Sequence, residues 1–319
     1  MPKVSVIIPT YNRAELLYAA IASVLGQTFQ DFEILVVDDH SPDHTAQVVQ
    51  RFHDGRIRYL LHETNKGGAA ARNTGIQNSA GEYIAFLDDD DEWLPEKLGM
   101  QIALLENSPP EVGCIYTGYL VIDRASGNIL GQKPAVKRGD LSTALLSGNC
   151  LGGTSSVLVR RECFNAVGLF DEALPSFQDY DLWIRLAQKF QFDCISRPLL
   201  KYYVHDQQIW TNLAALTKGL AIMLNKYAAT SAAQKKYYSS YYLSLGVAYC
   251  YRGDVRHGRQ AYLTAARLYP FEVRSYFNFC LSLLGASAFK FVKDAKNRIV
   301  FSRRRQLGQA ESRGRGTPL

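Results

Sequence analysis

Four consecutive carboxylates, Asp88-Asp89-Asp90-Asp91, stand where a strand-like run, Tyr83-Ile-Ala-Phe-Leu87, gives out. Like charges this close repel, and a chain tolerates them where a divalent cation or a set of hydrogen-bond donors neutralises them. A metal site is the sharper reading. A solvated acidic turn ahead of a helix starting near Pro95 would use the same residues, because carboxylates suit the positive end of a helix dipole. A second pair, Asp38-Asp39, ends the run Glu33-Ile-Leu-Val-Val37, with Ser41-Pro42 behind it. Pro9-Thr10-Tyr11-Asn12-Arg13 ends a third run and brings an aromatic ring, polar groups and a cation. Asn65-Lys66-Gly67-Gly68-Ala69-Ala70-Ala71-Arg72-Asn73 adds small residues and two cations. Backbone N–H groups of such a loop can reach phosphates, and a tight turn explains the Gly-Gly pair equally well.

The elements that must carry these residues follow from periodicity. Val4-Ser-Val-Ile-Ile8, Glu33 to Val37, Ile57 to Leu61 and Tyr83 to Leu87 read as short strands rich in β-branched residues. Between them, Ala14 to Leu25 places Leu16, Leu17, Ala20, Ile21, Val24 and Leu25 at helical spacing, with Gly26 as a stop. Helices are also expected over Asp43 to Phe52 and Gly67 to Asn78. The alternation predicts a βαβ sheet with its candidate residues at the carboxyl ends of the strands, where open α/β sheets bind ligands. Gly113 to Val159 is mixed and strand-rich. Asp179 to Phe190 is an amphipathic helix with Trp183, Ile184, Leu186 and Ala187 turned inward.

After His205 strand signals fade and Ala, Leu and Tyr recur at helical spacing. Tyr242, Leu245, Gly246, Tyr249, Gly258, Tyr262, Ala265 and Pro270 match the ~34-residue tetratricopeptide spacing, and Tyr276, Phe279 and Leu283 repeat its opening. A plain helical hairpin would show the same small and aromatic residues. One and a half repeats cannot bury a core alone, so this part is expected to lean on the rest of the chain, a protein partner or a second copy. The expected division is 1–215 as a nucleotide-type α/β domain, 216–288 as a helical region and 289–319 as a basic tail.

The chain has 319 residues and a formal charge of +6, placed unevenly. From Phe289 onward nine basic residues oppose Asp294 and Glu311, a net +7. With Phe289, Phe291, Val292, Ile299, Val300 and Phe301 interleaved, the tail has the composition of a helix lying on an anionic membrane, or of a solvated terminus. No nucleic-acid recognition module accompanies it. No apolar stretch approaches the ~18 residues of a membrane span, and the start Met1-Pro2-Lys3-Val4 lacks the pattern of a secretory signal. A cytoplasmic protein, peripheral at the inner face of the plasma membrane, is expected. The six cysteines are scattered without a Cys-x-x-Cys pair and are expected to be reduced core residues.

Several segments together resemble inverting glycosyltransferase family 2, with its GT-A fold. They are Val6-Ile-Ile-Pro-Thr-Tyr-Asn12, Ser23-Val-Leu-Gly-Gln-Thr-Phe29, Glu33-Ile-Leu-Val-Val-Asp-Asp39, Ala71-Arg-Asn73, Gly81 to Asp91, Val167-Gly-Leu-Phe-Asp171 and Gln178-Asp-Tyr-Asp-Leu-Trp183. The resemblance covers roughly Pro2 to His205 in the family's order. It implies a mostly parallel Rossmann-like sheet and transfer of a sugar from a nucleoside-diphosphate donor, UDP-linked first, to a saccharide or lipid-linked acceptor. It implies that Thr10, Tyr11 and Asp39 hold the base, with Asp39 at the ring edge and Tyr11 stacked on it, and that Pro9 belongs to the nucleotide site. Arg13, Lys66 and Arg72 would lie near the nucleotide or its phosphates. The family's Asp-x-Asp-like motif falls on Asp88, Asp89 and Asp90: Asp88 toward the nucleotide, Asp89 toward its ribose or the metal shell, Asp90 on Mn²⁺ or Mg²⁺. His205 matches a histidine near that metal.

Inversion by direct displacement needs a base for the acceptor hydroxyl, and Asp179 matches the family's catalytic carboxylate. The family commonly has Glu-Asp where this chain has Gln178-Asp179, which bears on acceptor contacts. Asp181 and Trp183 read as structural or acceptor-lining, and Gly152-Gly-Thr-Ser-Ser156 resembles an acceptor-side loop or is an ordinary turn. Two other classes stay in view. A sugar-phosphate nucleotidyltransferase would want a Gly-rich first loop, which is missing after Ile8; a catalytically inactive scaffold would not need Asp39, Asp89, Asp90 and Asp179 intact.

Overall fold

Runs that are apolar on both faces belong in strands covered by helices above and below. The computed structural model describes residues 1–205, 212–227 and 231–295. In it β1 (Val4–Thr10) and β2 (Phe32–Asp38) are buried from end to end. α1 (Ala14–Leu25) joins them and turns Leu17, Ala20, Ile21 and Val24 onto Val4, Val6, Ile8 and Phe32. Each such aliphatic side chain contributes about 1.5–3 kcal/mol by leaving water.

The chain continues through α2 (Thr45–Gln50), β3 (Ile57–Leu61), α3 (Gly68–Asn78), β4 (Tyr83–Phe86), β5 (Glu92–Trp93) and α4 (Lys97–Glu106). The next elements are β6 (Val112–Asp123), β7 (Ile129–Lys133), α5 (Ser142–Leu146), β8 (Val157–Arg160), α6 (Arg161–Val167), α7 (Gln178–Ala187), β9 (Gln191–Val204) and α8 (Leu213–Tyr227). α9 (Ala232–Tyr251), α10 (Val255–Leu268) and α11 (Val273–Leu283) follow.

One nine-stranded sheet has the order β3-β2-β1-β4-β8-β6-β9-β5, with β7 on β6. β3, β2, β1 and β4 are mutually parallel. β8 inserts antiparallel between β4 and β6, and the long β6 and β9 run parallel. The α/β class and mostly parallel sheet agree with the sequence.

α1 and β3 occupy the expected residues, whereas α2 is shorter than expected because Asp43 stays outside it. The Asp43 carboxylate accepts instead from the backbone N–H groups of Thr45 and Ala14. Gly75 sets how closely α3 lies on β1: a Cβ there would stand 2.4 Å from Ile7 Cγ2. That approach holds the loops around α3 beside the β1 end.

The chain divides into two compact units, residues 1–227 and 228–319. α8 belongs to the first, so the division expected at 215/216 falls inside a helix. Ser176 Oγ donates to Ala215 O, and Tyr227 Oη donates to the fully buried Asp181. Asp181 also binds Arg185 and Lys226, a structural role.

In the second unit α9 opens with a capping box between Ser231 and Gln234. α9 and α10 meet where side chains are missing: a Cβ on Gly246 would lie 2.3 Å from the Tyr262 ring, and one on Gly258 2.4 Å from Cys250 Sγ. Residues 286–295 are helical. Phe289, where the tail was expected to begin, is buried with its ring stacked on Tyr262. The rest of that tail, from residue 296, lies outside the described residues. The cysteine expectation needs correcting. Cys114, Cys163, Cys194 and Cys250 are buried, but Cys280 is exposed and Cys150 only partly covered, since α11 buries Ser275, Asn278, Leu281 and Ser282 instead.

Candidate active site

The carboxyl ends of β1, β2 and β4 open on a cleft of about 960 Å³. Pro9, Thr10, Tyr11 and Arg13 line it from β1, and Asp39 from β2. Lys66 and Arg72 line it from the loop and helix after β3, and Asp88, Asp89 and Asp90 from β4. Gln178 joins from α7. Asp179 and His205 are not part of the wall, although each adjoins it through a neighbour.

Asp39 is 3% exposed and its carboxylate is seated by the main chain. Lys66 N donates to Oδ1 at 2.8 Å and Gly67 N to Oδ2 at 2.6 Å. Gly67 adopts φ +91°, a conformation L side chains rarely take, and so lets both N–H groups face one carboxylate. These N–H groups are therefore occupied by Asp39, whereas the sequence had suggested them for phosphates. His62 Nδ1 lies 2.7 Å from Oδ1 and its Nε2 2.9 Å from Thr74 Oγ1. A carboxylate only accepts, so Nδ1 is the ring nitrogen that donates to Asp39. Tyr11 keeps 46% of its surface exposed in the cleft, an open aromatic face.

The four carboxylates after β4 point in different directions. Asp89 turns toward β1, where Thr10 Oγ1 donates at 2.8 Å and Arg13 Nη1 at 3.0 Å. The same Nη1 reaches Asp90 Oδ2 at 3.0 Å, and His205 Nε2 lies 3.0 Å from that oxygen. Asp88 accepts from Arg72 and from Thr154 Oγ1, while its N–H donates to Ser155 Oγ. Asp91 accepts from Tyr203 N of β9. The 152–156 segment, read as an acceptor-side loop or a turn, thus touches the acidic turn directly. Trp93 Nε1 donates to Ser155 O and braces it from behind.

Burial raises the Asp89 carboxyl to about 7, with Arg13 opposing and Asp90 adding to the rise. Burial followed by the charges of Asp90 and Asp88 lifts Asp91 well above the usual range. Removing water from carboxylates that also repel one another favours the proton, or a cation in its place. Asp88, Asp90 and Asp91 each offer an oxygen, all within 4.8 Å of one another. An all-oxygen set of this kind fits a hard divalent ion, Mg²⁺ or Mn²⁺.

Asp179 occupies the first turn of α7, its Oδ1 accepting from Tyr180 N at 2.8 Å. Loss of water around it raises it to about 6; the Tyr180 N–H and Arg72 pull the other way, and Asp88 adds to the rise. Asn73 holds the neighbouring strap. Its amide donates to Phe170 O and its Oδ1 accepts from Phe170 N, so the Ala71-Arg-Asn73 and Val167 to Asp171 motifs fit each other.

His62 was missed by the sequence reading; a single histidine in a loop carries no spacing signal. Asp91 was visible in the acidic run, but not that it belongs with Asp88 and Asp90 while Asp89 stands apart.

A Rossmann-like sheet ending in a carboxylate-rich cleft is the GT-A type of nucleotide-diphospho-sugar transferase fold. The chain superposes with TM-score 0.57 on the mannosyltransferase PcManGT from Pyrobaculum calidifontis, solved with GDP-Man and Mn²⁺, at 19% identity over 88% of this chain and 81% of that one. Residues 5–166 match the model of glycosyl transferase family 2, and the chain belongs to that family. An uncharacterized glycosyltransferase of Rickettsia felis is 36% identical over 65% of this chain, which spans 35% of that protein's length. A UDP-Glc:alpha-D-GlcNAc-diphosphoundecaprenol beta-1,3-glucosyltransferase, WfgD of Escherichia coli, is 35% identical over 66% of this chain and 80% of its own. No helix among the described residues is long and apolar enough to cross a membrane.

Proposed function

We propose that the chain is an inverting glycosyltransferase moving a hexose from a nucleoside-diphosphate sugar, UDP-linked first, to a hydroxyl of a saccharide or lipid-linked acceptor. The observation that carries this reading is the meeting of Tyr11, Arg13, Asp39, Arg72 and the Asp88–Asp90 turn around one cleft. The E. coli relative, whose name joins a UDP-sugar to a diphosphoundecaprenol acceptor, supports the donor and acceptor classes. The catalytic domain is drawn at 1–215, with α8 packed on it. Within 216–288, α9 and α10 are read as a tetratricopeptide-like contact surface for a protein partner or second copy, and 289–319 as a basic tail at the inner membrane face.

In this mechanism Tyr11 stacks on the base and the fixed Asp39 carboxylate accepts from the ring edge, with Pro9 and Thr10 closing that side. Arg13, Lys66 and Arg72 bring positive charge to the diphosphate. Asp90 would hold the divalent ion, with Asp88 and Asp91 offering further oxygens and His205 alongside; the ion would stabilise charge on the departing nucleoside diphosphate. Asp88 and Asp89 face the nucleotide, while their hydrogen bonds with Arg72 and Arg13 keep the turn aligned. Asp179 accepts the proton of the attacking hydroxyl, and a carboxylate near pKa 6 is charged and still basic enough for that at neutral pH.

Release of free nucleoside diphosphate, measured with and without Mn²⁺ across several nucleotide sugars, tests the reading. Metal-dependent release with one donor is the expected result. No release with any donor would leave a scaffold, and release of pyrophosphate from a nucleoside triphosphate and a sugar phosphate a nucleotidyltransferase.

A further inference from the structure

α11 is amphipathic in the reverse sense for a helix on a water-soluble unit. It buries Ser275, Asn278 and Ser282 beside Leu281. It exposes Val273 (73%), Tyr276 (48%), Phe277 (55%) and Leu283 (57%), with Leu284 (70%) just past its end. Cys280 is exposed too. The exposed positions recur every three to four residues and so form one stripe along the helix. On the covered side, Ser275 Oγ and Asn278 Oδ1 have no hydrogen-bond partner among the described residues. Polar groups are thus buried at a cost while large apolar ones face solvent, the mark of a face used for contact. Phe271, at 80% exposure, precedes the stripe, and Phe291, at 70%, follows it.

Charge identifies the occupant. Residues 228–319 contain sixteen Lys and Arg against four Asp and Glu, a formal +12, whereas residues 1–227 contain twenty against twenty-six, a formal −6. The cationic excess therefore belongs to the whole helical unit, reaching beyond the terminal tail. An aromatic stripe in a strongly cationic unit fits a surface that is anionic outside and apolar beneath, as a bilayer with anionic headgroups is. Docking the same stripe of a second copy would bring two +12 units together.

We propose that the α11 stripe is the face by which this chain docks on an anionic lipid bilayer. The proposal rests on the reading of a lipid-linked acceptor for its purpose, while docking itself is measured without any transfer.

The test uses the full chain and vesicles of phosphatidylcholine alone or with added phosphatidylglycerol, read by co-sedimentation at low salt. Wild type is expected to sediment with the anionic vesicles only. The Tyr276→Ser, Phe277→Ser double variant, with an unchanged circular-dichroism melt, is expected to partition about tenfold more weakly. A polarity-sensitive fluorophore on Cys280, in a Cys150→Ser background, is expected to shift to the blue with anionic vesicles.

Equal sedimentation of wild type and variant, or an unmoved fluorophore, would overturn the proposal by leaving charge alone as the cause. So would a dimer in sedimentation velocity that Phe277→Glu dissociates, or release of the chain from vesicles by RNA. Nucleoside diphosphate release from a soluble donor, assayed on the same samples, reports separately on the enzyme reading.

Discussion

Arg72 and Gln178, 106 residues apart in the chain, meet with Nη1 donating to Oε1 at 3.1 Å. Gln178 Nε2 donates to Leu174 O, which fixes the amide so that its oxygen faces the guanidinium. The other Arg72 terminal nitrogen binds Asp88. Gln178 is thus a neutral link between the acidic turn and the helix carrying Asp179.

Gln178→Glu would place a new charge beside Asp179 and Arg72. A neighbouring like charge raises a carboxyl pKa, so the acid limb of the rate profile should move up by about half to one pH unit. Steady-state rates from pH 5 to 8 measure the shift; an unmoved limb would detach Gln178 from the base.

Asp179→Asn is expected to keep donor binding and lose about 10²- to 10⁴-fold in transfer, the usual contribution of a positioned base. Wild-type rate should fall tenfold per unit below about pH 6, since the base must be unprotonated. Stability moves the other way. A carboxyl raised on folding contributes fully below its unfolded pKa near 4, and that contribution is lost as pH rises through 6. The Asn variant should therefore be more stable than wild type at pH 8, by up to about 3 kcal/mol, with the gain vanishing toward pH 4.

Asp90→Ala removes one oxygen from the Asp88, Asp90 and Asp91 group and leaves Arg13 and His205 facing an empty position. Calorimetry should find Mn²⁺-dependent nucleotide binding weakened by more than about 100-fold, and Asp91→Asn by about 10- to 100-fold. Undiminished binding in both would place the ion elsewhere.

Gly246→Ala pushes a methyl group to 2.3 Å from the Tyr262 ring. Overpacking of this kind costs about 1–3 kcal/mol, read as a lower denaturation midpoint of the helical unit. Gly55→Ala, whose added Cβ meets nothing within 4 Å, should stay within about 0.5 kcal/mol of wild type.

Much of the first half was legible because its signals are local. Val4 to Ile8 and Ile57 to Leu61 carry β-branched runs, Ala14 to Leu25 carries a 3.6-residue period, and Gly26 ends it. The acidic residues could be placed at strand ends for the same reason. What they face could not, since neighbours in the run Asp88 to Asp91 are aimed apart by the backbone of one turn. Asp89 meets Thr10 and Arg13, and Asp91 meets Tyr203. His62 supports Asp39 across 23 residues with nothing in the sequence to pair them. Phe289 shows the opposite failure: it stands among basic residues, yet α9 and α10 enclose it.

The seat of Asp39 bears on how such a protein can change over generations. Since the N–H groups of Lys66 and Gly67 grip that carboxylate, the side chains between His62 and Gly67 are free to drift without disturbing it. Inserting or deleting a residue there is another matter, for it would swing both donors away together. A lineage that reshaped this end of the cleft would leave its trace as a change of length in that stretch, with the acidic turn after β4 untouched.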